Sequence, residues 1–439
     1  MASLTYQGAI EALSDRGRFG IRLGLGRTRA LLRELGNPHE QVRGALVAGT
    51  NGKGSVLALA GAALQAAGYR VATTPKPHLV TYRERLQIDG RPVDPVTFAR
   101  LVEDVLPVAE RVSRRHGDPT EFELLTAVVF RWFAEQRPDV ALVEVGLGGR
   151  LDATNAWDGG VAAITNVALD HMEQLGPTVE AIAREKAAII ERGDVAVTGA
   201  TGSALAVVRR RAARLRVPLT IAEPAPLLGW DRNGIDVDLP RLGRTQVGLR
   251  GRHQAANVAV ADAVLDALER AGIASTGGAA RRAGYASAVW PGRLELVSVA
   301  GRDVLLDGAH NPAGAEALAQ AVDDLRPFLQ PGRMILLSAT MADKDVDGLI
   351  AGLMRSPELA RARVIATSLD APRALPAEAL SERWRVLAPA ASVEAVPDVR
   401  GALDQALAGR DGPLVVAGSL YLVGAVRGRL VDDPALRDG

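Results

Sequence analysis

The stretch Val47-Ala48-Gly49-Thr50-Asn51-Gly52-Lys53-Gly54-Ser55 is the most informative feature of the sequence, a glycine-rich turn between an apolar run that begins at 45 and a helical pattern at 57–67. Backbone N–H groups of such a glycine-rich turn, with the positive end of the following helix, form a cradle for phosphate groups. Lys53 can reach the outer phosphates of a nucleotide, and the Ser55 hydroxyl can hold a magnesium ion. Because Gly54 separates these two residues, the spacing argues against an ordinary kinase or GTPase and for another kind of ATP-using enzyme.

The composition bounds the class of protein. A chain of 439 residues is long enough for two domains, and 48% hydrophobic with 23% charged residues is typical of a globular protein. The balance of 52 basic against 51 acidic residues predicts no nucleic-acid partner. The chain has no cysteine, which excludes disulfides, thiolate zinc sites and cysteine nucleophiles. Since neither an export signal nor an apolar run of about 18 residues is present, we expect a cytoplasmic enzyme without a membrane partner.

Apolar runs alternate with amphipathic ones, and this alternation predicts an α/β fold in which crossover helices connect a largely parallel sheet. Predicted strands lie at 45–48, 71–74, 140–145, 161–165 and 195–198, and predicted helices at 57–67, 96–114, 123–135 and 258–271. The segment 219–249 differs, because its short alternating pieces predict hairpins at one edge. A second alternation follows residue 290, with predicted strands at 304–306, 334–337, 364–366, 393–395 and 414–417. We therefore predict two domains, 1–290 and 291–439.

Polar residues follow two further strands of the first half. Glu144 ends an apolar strand and precedes the glycines of 146–149, and His171 follows the strand at 161–165 by a few residues. A charge in an apolar strand is costly unless a metal ion or a basic partner stabilises it. Ligands of open parallel sheets gather beyond the carboxyl ends of the strands. These features and the phosphate turn are therefore expected to line one cleft, although Glu144 alone could be paired to an arginine and His171 alone could be a capping residue.

The second half has a similar strand end at 305–312. Asp307 ends a strand, and Pro312 opens the next helix, which makes a ligand-binding corner. Asp307 and His310 could form a hydrolase pair, but no Gly-x-Ser-x-Gly nucleophile turn accompanies them. Asn311 has the simpler interpretation of a helix cap.

Taken together and in order, these motifs closely resemble the folate branch of the Mur ligase superfamily, the folylpolyglutamate synthase/dihydrofolate synthase family. The resemblance covers nearly the whole chain. It rests on residues 49–55, 77–79, 144–155, 166–171, 185–187, 292–293, 307–312 and 418–424. It implies an N-terminal P-loop ATPase-like domain with a largely parallel sheet and a smaller C-terminal Rossmann-like domain. It also implies ATP-dependent amide-bond formation between a pterin-bearing carboxylate and glutamate through an acyl phosphate, with the substrates ATP, dihydropteroate or reduced folate, and L-glutamate.

The resemblance assigns roles to individual positions. The implied ATP contacts are Gly49, Thr50, Asn51, Gly52, Lys53, Gly54, Ser55, Asn257, Arg293 and Asp307. The implied magnesium ligands are Ser55, Glu144 and His171, which would hold two Mg²⁺ ions. The implied catalytic residues are Lys53, Glu144, His171 and Lys186, the last as a carbamate, whereas the sequence alone would make Lys186 a solvated helix residue. Phe122, Asp152, Ala153 and Thr154 fall at the pterin position, and His310 and Ser419 at the glutamate position. The family is usually monomeric, and a potassium requirement is left open.

The chain departs from the family at Lys76. The family usually has a serine at this position, before the turn Pro77-His78-Leu79, and that serine gives an oxygen to the second magnesium ion. A protonated ammonium group cannot ligate Mg²⁺. Either Lys76 supplies the positive charge itself, or a water molecule or Thr74 takes the place of the oxygen.

Two other classes of function are weighed against the folate ligase. A Mur-type ligase acting on a UDP-sugar substrate is disfavoured, because only about forty residues precede the phosphate turn, where such enzymes place a UDP-binding domain. A non-catalytic ATP-binding sensor is disfavoured by the intact set of Lys53, Ser55, Glu144 and His171.

Overall fold

The computed structural model describes residues 4–17, 22–409 and 412–437, and its larger sheet has eight strands. Their order across the sheet is β4-β3-β2-β5-β1-β6-β7-β8, in which only the short β3 and β4 run antiparallel to their neighbours. The strands are β1 (Gly44–Ala48), β2 (Val71–Thr74), β3 (Gln87–Ile88), β4 (Arg91–Pro92), β5 (Val140–Glu144), β6 (Gly160–Ile164), β7 (Val195–Thr198) and β8 (Leu219–Ile221).

Helices cover both faces of this sheet. They are α1 (Tyr6–Gly17), α2 (Gly26–Glu34), α3 (Lys53–Ala66), α4 (Pro95–His116), α5 (Glu121–Gln136), α6 (Met172–Leu175), α7 (Val179–Ala187), α8 (Gly202–Leu215), α9 (Gln254–Arg270) and α10 (Gly278–Ser287). Successive residues of β1 point to opposite faces: Leu46 packs in the cluster with α4 and α5, and Val47 in the cluster with α3, α9 and α10. Burial on both faces explains why the parallel strands are apolar throughout.

The segment after β8 builds a separate antiparallel sheet from β9 (Leu227–Asp231), β10 (Gly234–Leu239) and β11 (Gly243–Val247). The prediction of hairpins is confirmed for these three strands. It was wrong for 219–221, because β8 pairs in parallel with β7 at the edge of the large sheet. A three-residue strand is too short to show a periodicity that separates the two arrangements.

The C-terminal half contains a six-stranded sheet of order β12-β13-β17-β14-β15-β16, parallel except for β12. Its strands are β12 (Glu295–Val299), β13 (Arg302–Leu306), β14 (Ile335–Ser338), β15 (Arg363–Thr367), β16 (Ser392–Val396) and β17 (Leu414–Ala417). Its helices are α11 (Pro312–Leu325), α12 (Val346–Leu353), α13 (Pro357–Ala360), α14 (Ala377–Leu387), α15 (Val399–Leu407) and α16 (Leu420–Leu430). The two sheets confirm the predicted fold class.

The small antiparallel sheet contacts the C-terminal half and helps to fix its position. The Arg252 guanidinium donates two hydrogen bonds of 2.7 Å to the carboxylate of Asp324 and stacks on the Trp230 ring, 4.2 Å from its centroid. Trp230 Nε1 donates to the backbone oxygen of Asp324 at 3.2 Å. Such stacked and bidentate arginine contacts favour one relative orientation of the partners. Within the described ranges, the helices are all too short or too polar to cross a membrane.

Candidate active site

The phosphate turn follows β1 and precedes α3, as its sequence predicts, and two of its glycines are required by the backbone. Gly49 has φ +156°, and a Cβ atom there would lie 1.8 Å from Thr165 Oγ1. Gly52, which precedes α3, has φ +82°, and a Cβ atom there would lie 2.2 Å from Asn257 Oδ1. Only glycine adopts these conformations without strain while neighbouring groups approach so closely.

The segment after β6 holds this turn from behind. The N–H of Thr50 donates to the backbone oxygen of Asn166 at 3.0 Å, and the N–H of Asn51 to Asn166 Oδ1 at 2.9 Å. The Thr165 hydroxyl donates to the Asn51 carbonyl at 2.6 Å. These bonds fix the turn in place before any ligand binds, which is the preorganisation that phosphate recognition requires.

Gly54, the residue that makes the spacing unusual, packs against the segment between the two halves. A Cβ atom at position 54 would lie 2.3 Å from Cζ2 of Trp290 and 2.8 Å from its Nε1. The extra glycine therefore provides room for the indole ring beside the start of α3. Lys53 and Ser55, which flank Gly54 in the sequence, lie at the first turn of α3.

Glu144 ends β5 beside the phosphate turn, because β5 and β1 are neighbours in the sheet. Its side chain is 3% exposed, and its Oε1 lies 3.9 Å from Lys53 Nζ. Burial raises the pKa of Glu144, whereas the Lys53 ammonium acts in the opposite direction. Lys53 Nζ also donates to the backbone oxygens of Gly49 and Thr50 at 3.1 and 3.2 Å. The buried Glu144 carboxylate and the Lys53 ammonium of the turn therefore lie side by side.

Lys76 contributes a second cation next to Glu144. Its backbone N–H donates to Glu144 Oε2 at 2.9 Å, and its ammonium donates to the backbone oxygen of Glu144. Lys76 Nζ lies 5.3 Å from the ring centroid of Phe122. Burial lowers the pKa of Lys76 to about 8, although Asp152 and Glu144 partly oppose the shift. The buried Glu144 therefore has basic partners within the protein, one of the alternatives that the sequence left open.

His171 is exposed at the start of α6, in the left-handed conformation with φ +49°. Its Nε2 lies 3.8 Å from Asp170 Oδ2. The buried part of the ring, with the Lys344, Lys186 and Lys53 charges as further causes, lowers its pKa despite this carboxylate, which favours the neutral imidazole. A neutral imidazole has a free lone pair for a metal ion.

Lys186 is buried rather than solvated, which excludes the simpler interpretation of a surface helix lysine. It lies on α7 with 4% exposure, and its Nζ donates to the Gly49 carbonyl at 3.0 Å. Burial, with the Lys53 charge as a second cause, lowers the pKa of Lys186 to about 7. Much of this amine is therefore uncharged near neutral pH.

The C-terminal half presents its own strand ends to the same space. Asp307, which follows β13, accepts hydrogen bonds from the N–H groups of Leu294 and Ala309, both at 2.8 Å. Burial raises the pKa of Asp307, and the neighbouring Arg293 guanidinium opposes that shift. The carboxylate therefore ties the segment between the halves to the sheet.

Residues just before α11 and α16 complete the C-terminal side of the cleft. The Nδ1 atom of His310 lies 2.8 Å from the Gly308 backbone oxygen, within hydrogen-bonding distance. Burial lowers the pKa of His310. Ser419 is the residue before α16, and its Oγ accepts from the Tyr421 N–H. Asn311 caps α11 by accepting from the Gly314 N–H, which agrees with its simpler interpretation.

A cleft of about 730 Å³ between the two halves brings most of the predicted residues together. Its walls include Thr50, Asn51, Gly52, Lys53, Gly54, Ser55, Phe122, Glu144, His171, Asn257, Arg293, Asp307, His310 and Ser419. Asn257 is held there by a 2.8 Å bond from its Nδ2 to Gln254 Oε1. The prediction that the strand ends face one cleft is confirmed by this lining.

Five predicted site residues lie outside the lining of the cleft. Gly49 belongs to the phosphate turn, and the buried Lys186 donates to its carbonyl. Asp152, Ala153 and Thr154 are buried, and Asp152 accepts from the Leu147 N–H and from Thr154. Thr154 lines a small neighbouring cavity together with Phe122 and Lys76.

Other residues of the cleft lining were given no role by sequence reasoning. They include Arg85, His253, Gln254, Trp290, Lys344 and Tyr421. Lys344 and Tyr421 occur in turns after β14 and β17, which the sequence pattern already marks as strand ends of the second half. His253 and Gln254 precede a helix without such a signal, since nothing local shows which way the start of α9 faces.

The residues present fit magnesium bound together with a nucleotide. Across the described part of the chain, no three His, Cys, Asp or Glu side chains form a metal-binding group of their own. Mg²⁺ is usually bound by one or two protein oxygens with substrate phosphates and water as the other ligands. Ser55, at the first turn of α3, and the buried Glu144 carboxylate are donors of this kind beside the phosphate turn.

The fold and the cleft define a Mur-type ligase. Residues 47–265 match the Mur ligase middle domain, and residues 292–420 match the Mur ligase glutamate ligase domain. The chain is 34% identical over 435 residues to the dihydrofolate synthase/folylpolyglutamate synthase of Bacillus subtilis (strain 168), which covers 97% of this chain and 99% of that protein. The chain belongs to the dihydrofolate synthase/folylpolyglutamate synthase family, whose members are ATP-dependent ligases that add glutamate to folate.

Solved structures agree with this assignment. Mycobacterium tuberculosis folylpolyglutamate synthase complexed with ADP and AMPPCP has a TM-score of 0.85 at 32% identity, covering 97% of this chain and 100% of that chain. The Escherichia coli enzyme in complex with DHPP and ADP has a TM-score of 0.81 at 31% identity, with 98% of each chain covered. A bifunctional synthase with Mn, AMPPNP and L-glutamate bound has a TM-score of 0.80 at 31% identity, covering 96% of this chain and 98% of that chain.

Proposed function

We propose that this chain joins the carboxylate of dihydropteroate, and of reduced folates, to the amine of L-glutamate with hydrolysis of ATP to ADP and phosphate. The observation that carries the proposal is the single cleft. It joins the phosphate turn with Glu144 and His171 of the N-terminal half to Asp307, His310 and Ser419 of the C-terminal half. Three substrates must meet for this reaction, and holding them together supplies much of the rate enhancement.

The phosphate turn would bind the nucleotide. Its N–H groups and the start of α3 face the phosphates, and Lys53 exchanges the Gly49 and Thr50 carbonyls for the β- and γ-phosphates. The proposed nucleotide contacts are Gly49, Thr50, Asn51, Gly52, Lys53, Gly54, Ser55, Asn257, Arg293 and Asp307. Of these, Gly49 acts by letting the turn pack on Thr165, because it does not line the cleft.

The proposed reaction has two steps. A carboxylate oxygen of the pterin substrate attacks the γ-phosphorus, and the bond between that phosphorus and the β-phosphate oxygen breaks. The products of this step are an acyl phosphate and ADP. The neutral amine of glutamate then attacks the acyl carbon, loses a proton, and phosphate departs from the tetrahedral intermediate. Lys53 stabilises charge on the transferring phosphoryl group in the first step.

The two organic substrates would lie on opposite sides of the phosphates. Phe122 faces the cleft as an apolar wall for the pterin-bearing substrate, and the buried Asp152, Ala153 and Thr154 support that wall from behind. His310 and Ser419 would contact glutamate from the C-terminal half.

Ser55, Glu144 and His171 are the proposed magnesium ligands. When bound, Mg²⁺ neutralises phosphate charge and orients the γ-phosphoryl group. Glu144 suits this role, because its burial makes an unneutralised carboxylate costly. Omitting and then adding K⁺ at fixed Mg²⁺ would test the potassium requirement that the sequence leaves open.

We further propose that residues 1–290 and 291–439 are the two domains and that the chain acts as a monomer. The strands of the two larger sheets lie on either side of residue 290, which supports the domain boundary. Light scattering of the active protein would test the monomer.

Lys186 is proposed to carry a carbamate. Only an uncharged amine attacks CO₂, and the lowered pKa of about 7 gives Lys186 such an amine at pH 8. We expect intact-mass spectra recorded at pH 8 under CO₂ to show one added CO₂, and none in Lys186→Arg. Because the amine becomes protonated as the pH falls below about 7, the adduct should be lost there. An unmodified wild-type chain at pH 8 would contradict the carbamate.

The function is tested by ADP release from purified protein with Mg²⁺, ATP and glutamate, adding either dihydropteroate or tetrahydrofolate. We expect turnover with both, which would establish both activities. A protein that binds ATP but turns over neither substrate would overturn the proposal, and a UDP-linked amino-acid substrate would then be tried. Turnover with one substrate alone would contradict the second activity.

A further inference from the structure

Lys76 is a cation of the cleft whose position is tightly fixed. Its backbone N–H donates to Glu144 Oε2 at 2.9 Å, and its ammonium donates to the backbone oxygen of the same residue. Both ends of the lysine are therefore held at the carboxyl end of β5. A side chain held in this way has lost most of its freedom before a substrate arrives, which favours binding.

The ammonium lies beside an apolar wall of the cleft that also contains the phosphate turn. Lys76 Nζ is 5.3 Å from the centroid of the Phe122 ring, within the range of a cation–π contact. Lys76 and Phe122 line the same cleft as Lys53 and Ser55. A flat aromatic molecule resting on Phe122, with a carboxylate at its end, would present that carboxylate to Lys76.

The charges around Glu144 leave little place for a second divalent cation. Glu144 Oε2 already accepts the Lys76 N–H, and Oε1 faces Lys53 at 3.9 Å. Asp152, the other carboxylate near Lys76, is committed to the N–H groups of Leu147 and Thr154. Each further positive charge would be repelled by the two ammonium groups at short range.

Thr74 does not offer the missing oxygen to the cleft. Its side chain is 1% exposed and lines the small cavity beside Thr154 instead of the large cleft. A metal ion in the cleft would therefore meet the Lys76 ammonium, which cannot be a ligand while it is protonated.

We propose that the Lys76 ammonium binds the reacting carboxylate of the pterin substrate directly and takes the place of a second divalent cation. The inference rests on the proposed function, since it names the group that receives the carboxylate before its attack on ATP. One divalent ion then accompanies the nucleotide, and Lys76 reduces the repulsion between carboxylate and triphosphate.

The test is a binding cycle by calorimetry in the presence of Mg²⁺ and ADP. Dihydropteroate is compared with the same pterin whose benzene ring lacks the carboxyl group, in wild-type protein, Lys76→Met and Lys344→Met. Lys344 is the matched control, because it is a cleft lysine contributed by the C-terminal half. A hydrogen bond between charged groups is worth about a 10- to 100-fold change in affinity. We expect this loss of affinity only when Lys76→Met binds dihydropteroate. For every other combination of protein and ligand, the affinity should change by less than about twofold.

A second readout counts metal ions. With AMPPNP and dihydropteroate, electron paramagnetic resonance should find one Mn²⁺ bound per wild-type chain and two per Lys76→Ser chain. Two Mn²⁺ ions in the wild-type protein would overturn the proposal. It would also be overturned if Lys76→Met lost affinity equally for both pterins, or if Lys344→Met lost as much affinity for dihydropteroate as Lys76→Met does. If wild-type protein binds dihydropteroate and Lys76→Met binds it equally well, only this inference fails. If wild-type protein does not bind dihydropteroate at all, the proposed function fails with it.

Discussion

Glu144→Gln is expected to lower kcat for ADP release with dihydropteroate by about 10³-fold, the largest catalytic effect we predict. Glutamine keeps the size of the side chain and removes the negative charge that would hold magnesium beside Lys53. Steady-state kinetics at saturating Mg²⁺ measure the loss. Glu173→Gln is the control, since Glu173 is an exposed carboxylate on α6 next to His171, and kcat should stay within about twofold of the wild-type value.

The same substitution should not lower stability. The pKa of Glu144 is raised in the folded protein, chiefly by burial. A raised folded-state pKa means that the folded protein gains stability from the protonated carboxyl and loses it as the pH rises through that pKa. At pH 8 glutamine resembles the protonated form and removes the cost, so the Tm of the ligand-free variant should equal or exceed that of the wild-type protein. A clear fall in Tm would show that Glu144 serves mainly the fold.

Gly49→Ala is expected to weaken ADP binding by at least about 100-fold and to lower the Tm. Its φ of +156° is strained for alanine, at a cost of about 1–3 kcal/mol. Its Cβ atom would also meet Thr165 Oγ1 at 1.8 Å and displace the hydroxyl that bonds the Asn51 carbonyl. Calorimetric titration with ADP and a thermal unfolding scan measure the two effects.

Gly24→Ala is the control for Gly49→Ala, because it separates backbone strain from steric overlap of the added Cβ atom. Gly24 has a similar φ of +150°, but its added Cβ atom would have no neighbour within 4 Å. We expect the control to lower the Tm slightly and to leave the affinity for ADP within about threefold. If Gly49→Ala behaved like this control, close packing of the turn on Thr165 would not be what shapes the phosphate site.

Local sequence patterns predicted the secondary-structure elements and the strand ends that line the cleft. The predicted strands at 71–74 and 195–198 coincide with β2 and β7, because their apolar runs are bounded by glycine and polar turn residues whose effect is local. The α11 residues Ala315, Leu318, Ala319, Val322 and Leu325 are all buried, since their spacing places them on one helical face. The glycines of the phosphate turn were recognisable because their backbone conformations are also a local property.

Which strand ends are neighbours depends on the tertiary structure. The order β2-β5-β1-β6 places Glu144 beside the phosphate turn and carries Lys76 to it, although β2 and β5 are far apart in the sequence. It also decided that Lys186 is buried against Gly49 and that the short β8 extends the large sheet. The sequence pattern of a helix shows which of its faces is apolar, but not which other element packs against that face. Strand order, burial of single charges and the pKa shifts that follow depend on contacts between distant segments, and those exist only once the chain has folded.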